Sequence, residues 1–328
     1  MTDRRDFLVS LSAMTLGVGT PCLGQAQPTP WPMAKPITYV VPVFAGSTAD
    51  VIARIISQKL AEALQQSVLI DNKMGAGGSI GTAAVAKSAP DGYTILGGTS
   101  GTHAINVGLY KNLSYDPVKD FEPVALIGSV PNVLVVGPNL GVNSVAELIA
   151  LMKKDDKHRT FGSAGAGTSP HLTGELFADT IGLPLVHIPY KSQPGIVDVA
   201  TGELTFKFDQ LTAAIPLMQA GKIKVLAVTS AQRLPQLPNV PTMIESGVPG
   251  FEVVSWHAIY APKNTPKAIV GRLTAEVIKA VKSPDARTKL AEIGVEVSGG
   301  GPAELSALMA REIPRWATVI KRSGARAD

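Results

Sequence analysis

Val41-Pro42-Val43-Phe44-Ala45-Gly46-Ser47-Thr48-Ala49-Asp50, running on into Val51-Ile52-Ala53-Arg54-Ile55-Ile56, decides the fold. Ile37, Tyr39, Val40 and Val41 form the β-rich apolar run expected of a strand covered on both faces. Gly46 permits a sharp turn. Ser47, with Asp50 three residues on, has the spacing of a capping box. Behind it Val51, Ile52, Ile55, Ile56 and Leu60 recur at helical intervals. A strand that ends in a tight turn at a helix start leaves N–H groups unpaired at the positive end of a helix dipole, and such a turn accepts an anion without Lys or Arg. Many turns of this kind in α/β proteins only connect, so the rest of the chain must supply the ligand.

Downstream, Val68-Leu69-Ile70 reads as a second strand. Asn72 to Gly81 is glycine-rich but fails the dinucleotide fingerprint: Gly75 and Gly77 fit, and the third position is Ile80. It reads instead as a turn that lets a helix over 79–88 pack closely. Strand 93–96 ends in Gly97-Gly98-Thr99-Ser100-Gly101, whose second glycine comes one place too early for a nucleophile elbow. Segments 121–128 and 132–136 are strand-like, the second carrying the chain toward another lobe, and Ser144 caps a helix with an apolar stripe. Thr160 to Leu172 then repeats the opening architecture: strand, glycine turn, and a helix with Ser169 at the cap and Pro170 at its first position. His171 falls in the first helical turn, where it donates to an anion or bonds locally. Asp209 closes a strand at the C-terminal end, where open α/β sheets place ligand groups. It reads a ligand hydroxyl or ammonium, or only ties down its own loop. Segment 253–260 is a strand and a second crossing between lobes, and helices over 266–281 and 302–322 end the chain.

Composition narrows the function. The chain has 328 residues, 45% hydrophobic and 17% charged, with a formal charge of +4, enough for large cores. Aromatic residues are 5% and the basic residues are scattered, so there is no nucleic-acid footprint. The five histidines are far apart, without metal-ligand spacing or a catalytic constellation, and no phosphate loop ends in Gly-Lys-Ser/Thr. Residues 1–26 read as a cleaved export signal: Arg4-Arg5 of twin-arginine type, an apolar run from Leu8 to Val18 too short to span a bilayer, and cleavage near Ala26. The single cysteine, Cys22, leaves with it, which excludes disulfides and Cys-bound metal from the mature chain. Residues 27–36 form an extended lead-in.

Alternating strands and helices argue for an α/β fold of doubly wound parallel sheets. The two anion turns, at 43–48 and 162–169, fall in separate lobes, so one small molecule with a carboxylate at each end would bridge both. At this point the chain resembles the substrate-binding proteins of tripartite tricarboxylate transporters, the Bug or TctC-type family. The matching stretches run in order over the mature chain: Val41-Pro42…Gly46…Asp50…Ala53-Arg54, Gly75-Ala76-Gly77-Gly78-Ser79-Ile80-Gly81, Ala89-Pro90-Asp91-Gly92-Tyr93, Ser169-Pro170-His171-Leu172…Gly174-Glu175-Leu176, Pro189-Tyr190-Lys191, Phe208-Asp209, Leu226-Ala227-Val228-Thr229-Ser230 and Val240-Pro241-Thr242. Where the family often has Phe-Pro-Pro-Gly-Gly, this chain has Val43-Phe44-Ala45-Gly46-Ser47.

The resemblance implies a periplasmic, monomeric, two-lobed binding protein of the Venus-flytrap, type II-like kind. It holds a small carboxylated ligand in the cleft between two sheets and delivers it to integral-membrane permease subunits. A sensor presenting its ligand to a signalling receptor is the alternative, and neither role is enzymatic. Domain 1 is expected over 37–131 and 254–328, and domain 2 over 132–253. The candidate ligand-binding residues are Phe44, Ala45, Gly46, Ser47, Thr48, Thr99, Ser100, Ser163, Ala164, Gly167, Thr168, Ser169, His171 and Asp209, with no catalytic residue, metal ligand or cofactor.

Overall fold

A computed structural model of the protein describes residues 30–190 and 195–327. The export signal over 1–26 with Cys22 and its cleavage site, the first residues of the lead-in, and Lys191 of the Pro-Tyr-Lys motif lie outside the described residues.

The strands are β1 (Ile37–Val41), β2 (Val68–Asn72), β3 (Thr94–Thr99), β4 (Phe121–Val136), β5 (Thr160–Ser163), β6 (Val186–Pro189), β7 (Phe206–Gln210), β8 (Lys224–Val228), β9 (Val254–Pro262) and β10 (Glu296–Gly300). The helices are α1 (Thr48–Leu64), α2 (Ser79–Ala86), α3 (Asn106–Leu109), α4 (Val145–Lys154), α5 (Ser169–Ile181), α6 (Ile196–Thr201), α7 (Leu211–Gln219), α8 (Lys267–Lys282), α9 (Pro284–Glu292) and α10 (Pro302–Ser323).

The strands follow one another in the order β2-β1-β3-β9-β4-β7-β5-β6, with β8 and β10 also paired to β4. The sixteen-residue β4 joins the two halves. Its residues 121–131 pair with β9 and its residues 132–136 with β7. The expectation of purely parallel sheets needs correction. Parallel pairing is confined to β2-β1-β3 and β7-β5-β6, whereas β4 and β9 run antiparallel to their neighbours. The antiparallel partners of β4 come from segments far along the chain (β7, β8, β9 and β10), so no βαβ crossover sets their direction.

Three apolar clusters hold this arrangement. One lies under α1 and α8, where Ile52, Ile56, Leu60, Leu273 and Val277 meet Tyr39, Val41 and Ile259. A second, around Val133, Val135, Leu204 and Leu211, lies under α6 and α7. The third spans both halves and includes Phe161, Phe177, Phe206 and Phe208 together with Met309 and Trp316 of α10. The buried stripe of α10 is Leu305, Met309, Glu312, Trp316 and Ile320. Glu312 is retained there because the Trp316 indole N–H and Arg315 both donate to it. Two elements have weak sequence signals. Helix α9 buries only Ala286 and Leu290, and β10 is a polar, glycine-ended strand.

Candidate functional site

The first turn is fixed from beneath. Asp50 is 2% exposed, and its carboxylate accepts from the Gly46 N–H (2.9 Å), from Arg54 Nε (2.8 Å) and Nη2 (3.1 Å), and from Asn72 Nδ2 (3.0 Å). Asn72 Nδ2 also donates to Val43 O, at 3.1 Å. Ser47 Oγ accepts from the Asp50 N–H at 3.4 Å, so Ser47 caps α1 as expected. The reciprocal half of the capping box differs: Asp50 reaches the N–H of Gly46, whose φ of +85° turns the chain. Burial pushes the Asp50 pKa up, but hydrogen bonds from Arg54, the Gly46 N–H and Asn72 outweigh it and hold the carboxyl below the usual range.

The second turn is corrected by one residue. The cap of α5 is Thr168, with Ser169 inside the helix. Thr168 Oγ1 does not cap the helix but donates to Gly165 O (2.7 Å), and Ser169 Oγ accepts instead from Asn132 Nδ2 of β4 (3.0 Å). The extended φ of −79° at Thr168 marks the boundary, and Pro170 occupies a first-turn position where no N–H is needed. His171 Nδ1 accepts from the Gly167 N–H (3.2 Å), and His187 Nε2 bonds Ser163 Oγ (2.6 Å). Both imidazoles therefore brace the loop from behind. With Glu175 they form the one group of potential metal donors among the described residues, their ligand atoms within 4.8 Å. The rings stack at 4.0 Å and 24°, and His171 Nδ1 and His187 Nε2 are already engaged by the Gly167 N–H and Ser163 Oγ.

Between the turns lies a cavity of about 80 Å3, against the roughly 10–15 Å3 that one water needs. Of the candidate residues, Phe44, Ser47, Thr48, Thr99, Ser100, Ala164, Thr168, Ser169 and Asp209 line it. Ala45 and Gly46 instead face solvent on the turn, and Ser163, Gly167 and His171 are buried behind the loop, so these five are not brought to the cavity. A wider opening of about 450 Å3 adjoins it, and Val43, Phe44, Gly77, Ala164 and Thr168 line both spaces as a neck. Among the lining residues outside the candidate set, the polar side chains are Gln210, Ser255 and His257. Ser255 bonds Ser100 (2.9 Å), and His257 lies 3.4 Å from Gln210 Nε2. Their spacing of two on β9, a strand of the first half and not the second crossing expected, was the available signal, with Trp256 between. Burial lowers the His257 pKa to about 4, so its ring is neutral at pH 7.

The halves touch at the rim. Tyr110 OH donates to Ala166 O at 3.3 Å. A Cβ on Gly77 would stand 2.2 Å from Ala166 O, and one on Gly167 would stand 2.1 Å from Asn106 Oδ1. Only glycine leaves room for the Ala166 carbonyl at the first contact and the Asn106 side chain at the second. Two sheets closed on a cavity flanked by two helix starts define a two-lobed solute-binding protein.

Residues 52–325 match the model described as "Tripartite tricarboxylate transporter family receptor", and the chain belongs to that family. Protein BugT of Bordetella pertussis is 34% identical over 97% of each chain. The structure of Rpa4515 of R. palustris with adipate has a TM-score of 0.87 at 41% identity, covering 90% of this chain and 99% of that one. That of MatC from Rhodopseudomonas palustris with bound malate has a TM-score of 0.84 at 32% identity, covering 88% and 99%. The family consists of solute receptors, not enzymes, and among the described residues no helix is long and apolar enough to cross a membrane.

Proposed function

We propose that this protein captures a small organic acid, carboxylate-terminated and with an apolar chain, and delivers it as a monomer to the integral-membrane permease subunits of a tripartite tricarboxylate transporter. The observation that carries the reading is the convergence of the α1 and α5 starts on one cavity with no Lys or Arg in its lining among the described residues. Backbone N–H groups and two dipoles then supply the attraction that a basic side chain would otherwise give. Val43, Phe44, Ala49, Ala164, Pro170 and Ala213 provide apolar wall for the carbon chain. The adipate and malate held by the two relatives support an acid of this class. We place the lobe boundaries at 131/132 and 253/254, where β4 changes partners and β9 begins.

A thermal-shift screen of mono-, di- and tricarboxylates tests the reading. A bound acid at 100 times its dissociation constant adds about 2.7 kcal/mol and raises Tm clearly. A flat response to all three classes would defeat it. For export, replacing Arg4 and Arg5 together by Lys is expected to deplete the periplasmic fraction on cell fractionation. An unchanged yield would exclude the twin-arginine route.

A further inference from the structure

Lys207 and Asp209 stand two residues apart on β7 and so share one face. Lys207 Nζ donates to Asp209 Oδ2, and the Gln210 N–H donates to Asp209 Oδ1 at 2.9 Å. Lys207 is 0% exposed and Asp209 7%. Asp209 lines the cavity and Lys207 does not. No other carboxylate lies within ion-pair distance of Lys207 among the described residues. The cavity wall therefore presents a carboxylate whose charge is compensated from behind, and it is the one charged side chain in the described lining.

An uncompensated carboxylate in so narrow a space would repel an acid and attract an ammonium group, because burial weakens the screening that water gives. Compensation cancels both effects. Resting on the function proposed above, we infer that Lys207 is a specificity-determining positioning residue. Acting through Asp209, it makes the site select plain carboxylic acids over their amino-substituted analogues. Asp209 by itself would select the opposite class.

The test is calorimetric titration at pH 8 with two matched pairs, succinate against aspartate and adipate against 2-aminoadipate. The wild-type chain is expected to bind the plain acid of at least one pair more tightly. Lys207→Met should move the plain-to-amino affinity ratio at least tenfold toward the amino compound. The double variant Lys207→Met/Asp209→Asn, neutral at both positions, should return the ratio to within about threefold of wild type. That rescue distinguishes charge compensation from packing, which the double change would not restore. If Lys207→Met does not fold, Asp209→Asn and the double variant carry the comparison, with Asp209→Asn expected to shift the ratio toward the plain acid. A wild-type preference for the amino compounds, or ratios that stay within threefold across all folded variants, would overturn the inference while leaving acid binding intact. No binding of any of the four compounds, nor of any acid in the thermal screen, would overturn the proposed function together with it.

Discussion

Asp50→Ala is expected to cost about 3–5 kcal/mol of stability: it removes charge-assisted bonds worth about 1.5–3 kcal/mol and leaves neutral donors unpaired at about 1–3 kcal/mol each. The substitution leaves the Gly46 N–H without its partner and Asn72 Nδ2 with only its bond to Val43 O, and so loosens the turn that carries Phe44 and Ser47 to the cavity. Arg54 contributes less of this because its side chain is 56% exposed and can turn to water. Arg54→Ala should therefore cost only about 1 kcal/mol, leaving Asp50 bonded to Gly46 and Asn72. Urea midpoints of the two variants test the ranking, and an Asp50→Ala loss no larger than that of Arg54→Ala would refute it. The pH dependence follows from the lowered pKa of Asp50. Native Asp50 binds a proton less readily than unfolded Asp50, so its stabilisation is complete above the ordinary carboxylate pKa. It is lost as pH falls through the lower, folded value. Wild type should thus weaken in that acidic window, and Asp50→Ala should show less of the slope.

Gly167→Val is expected to weaken ligand binding at least 100-fold, about 2.7 kcal/mol. The position combines a φ of +87° with a Cβ site only 2.1 Å from Asn106 Oδ1 across the lobe contact. Backbone strain at this φ costs stability in either state, whereas the clash with Asn106 arises only when the lobes meet, so the loss of binding should appear in closure. Gly182→Ala is the control: its φ is +65° and nothing stands within 4 Å of the added Cβ. It tests the strain of the left-handed backbone without the obstruction, at a cost of about 1–3 kcal/mol in stability. Small-angle scattering with a saturating acid should show wild type and Gly182→Ala compacting while Gly167→Val stays extended. Compaction of Gly167→Val to wild-type dimensions would show that the loop, not the lobe, gives way.

The turn at 43–50 and the glycine-rich segments were legible because local chemistry decides them: φ > 0, helix periodicity and capping are read within a few residues. Glycine turn 75–81 also packs as closely as expected, since a Cβ on Gly81 would stand 2.4 Å from Lys73 O. What escaped depends on pairing between distant segments. Asn132 holds Ser169 and Thr173 from forty positions away, and nothing near 132 announces it. Lys207 is the exception, since its spacing of two from Asp209 on one strand was a local signal that went unread. Helix α9 escaped for another reason: its stripe is two residues, too few for periodicity to register.

Strand β9 lies between β3 and β4, whose residues 94–99 and 121–131 are never direct neighbours. The other partner of that part of β4 is β10, which comes later still. A chain emerging from the ribosome therefore makes β4 long before either of its lobe-1 partners, while the remaining partners of the second sheet are all in hand by residue 228. The lobe that starts the protein is the last to be assembled. Its central strand waits open-edged through the synthesis of more than a hundred residues, and a truncated product lacking the C-terminal quarter would carry that unfilled slot as a ready template for mispairing.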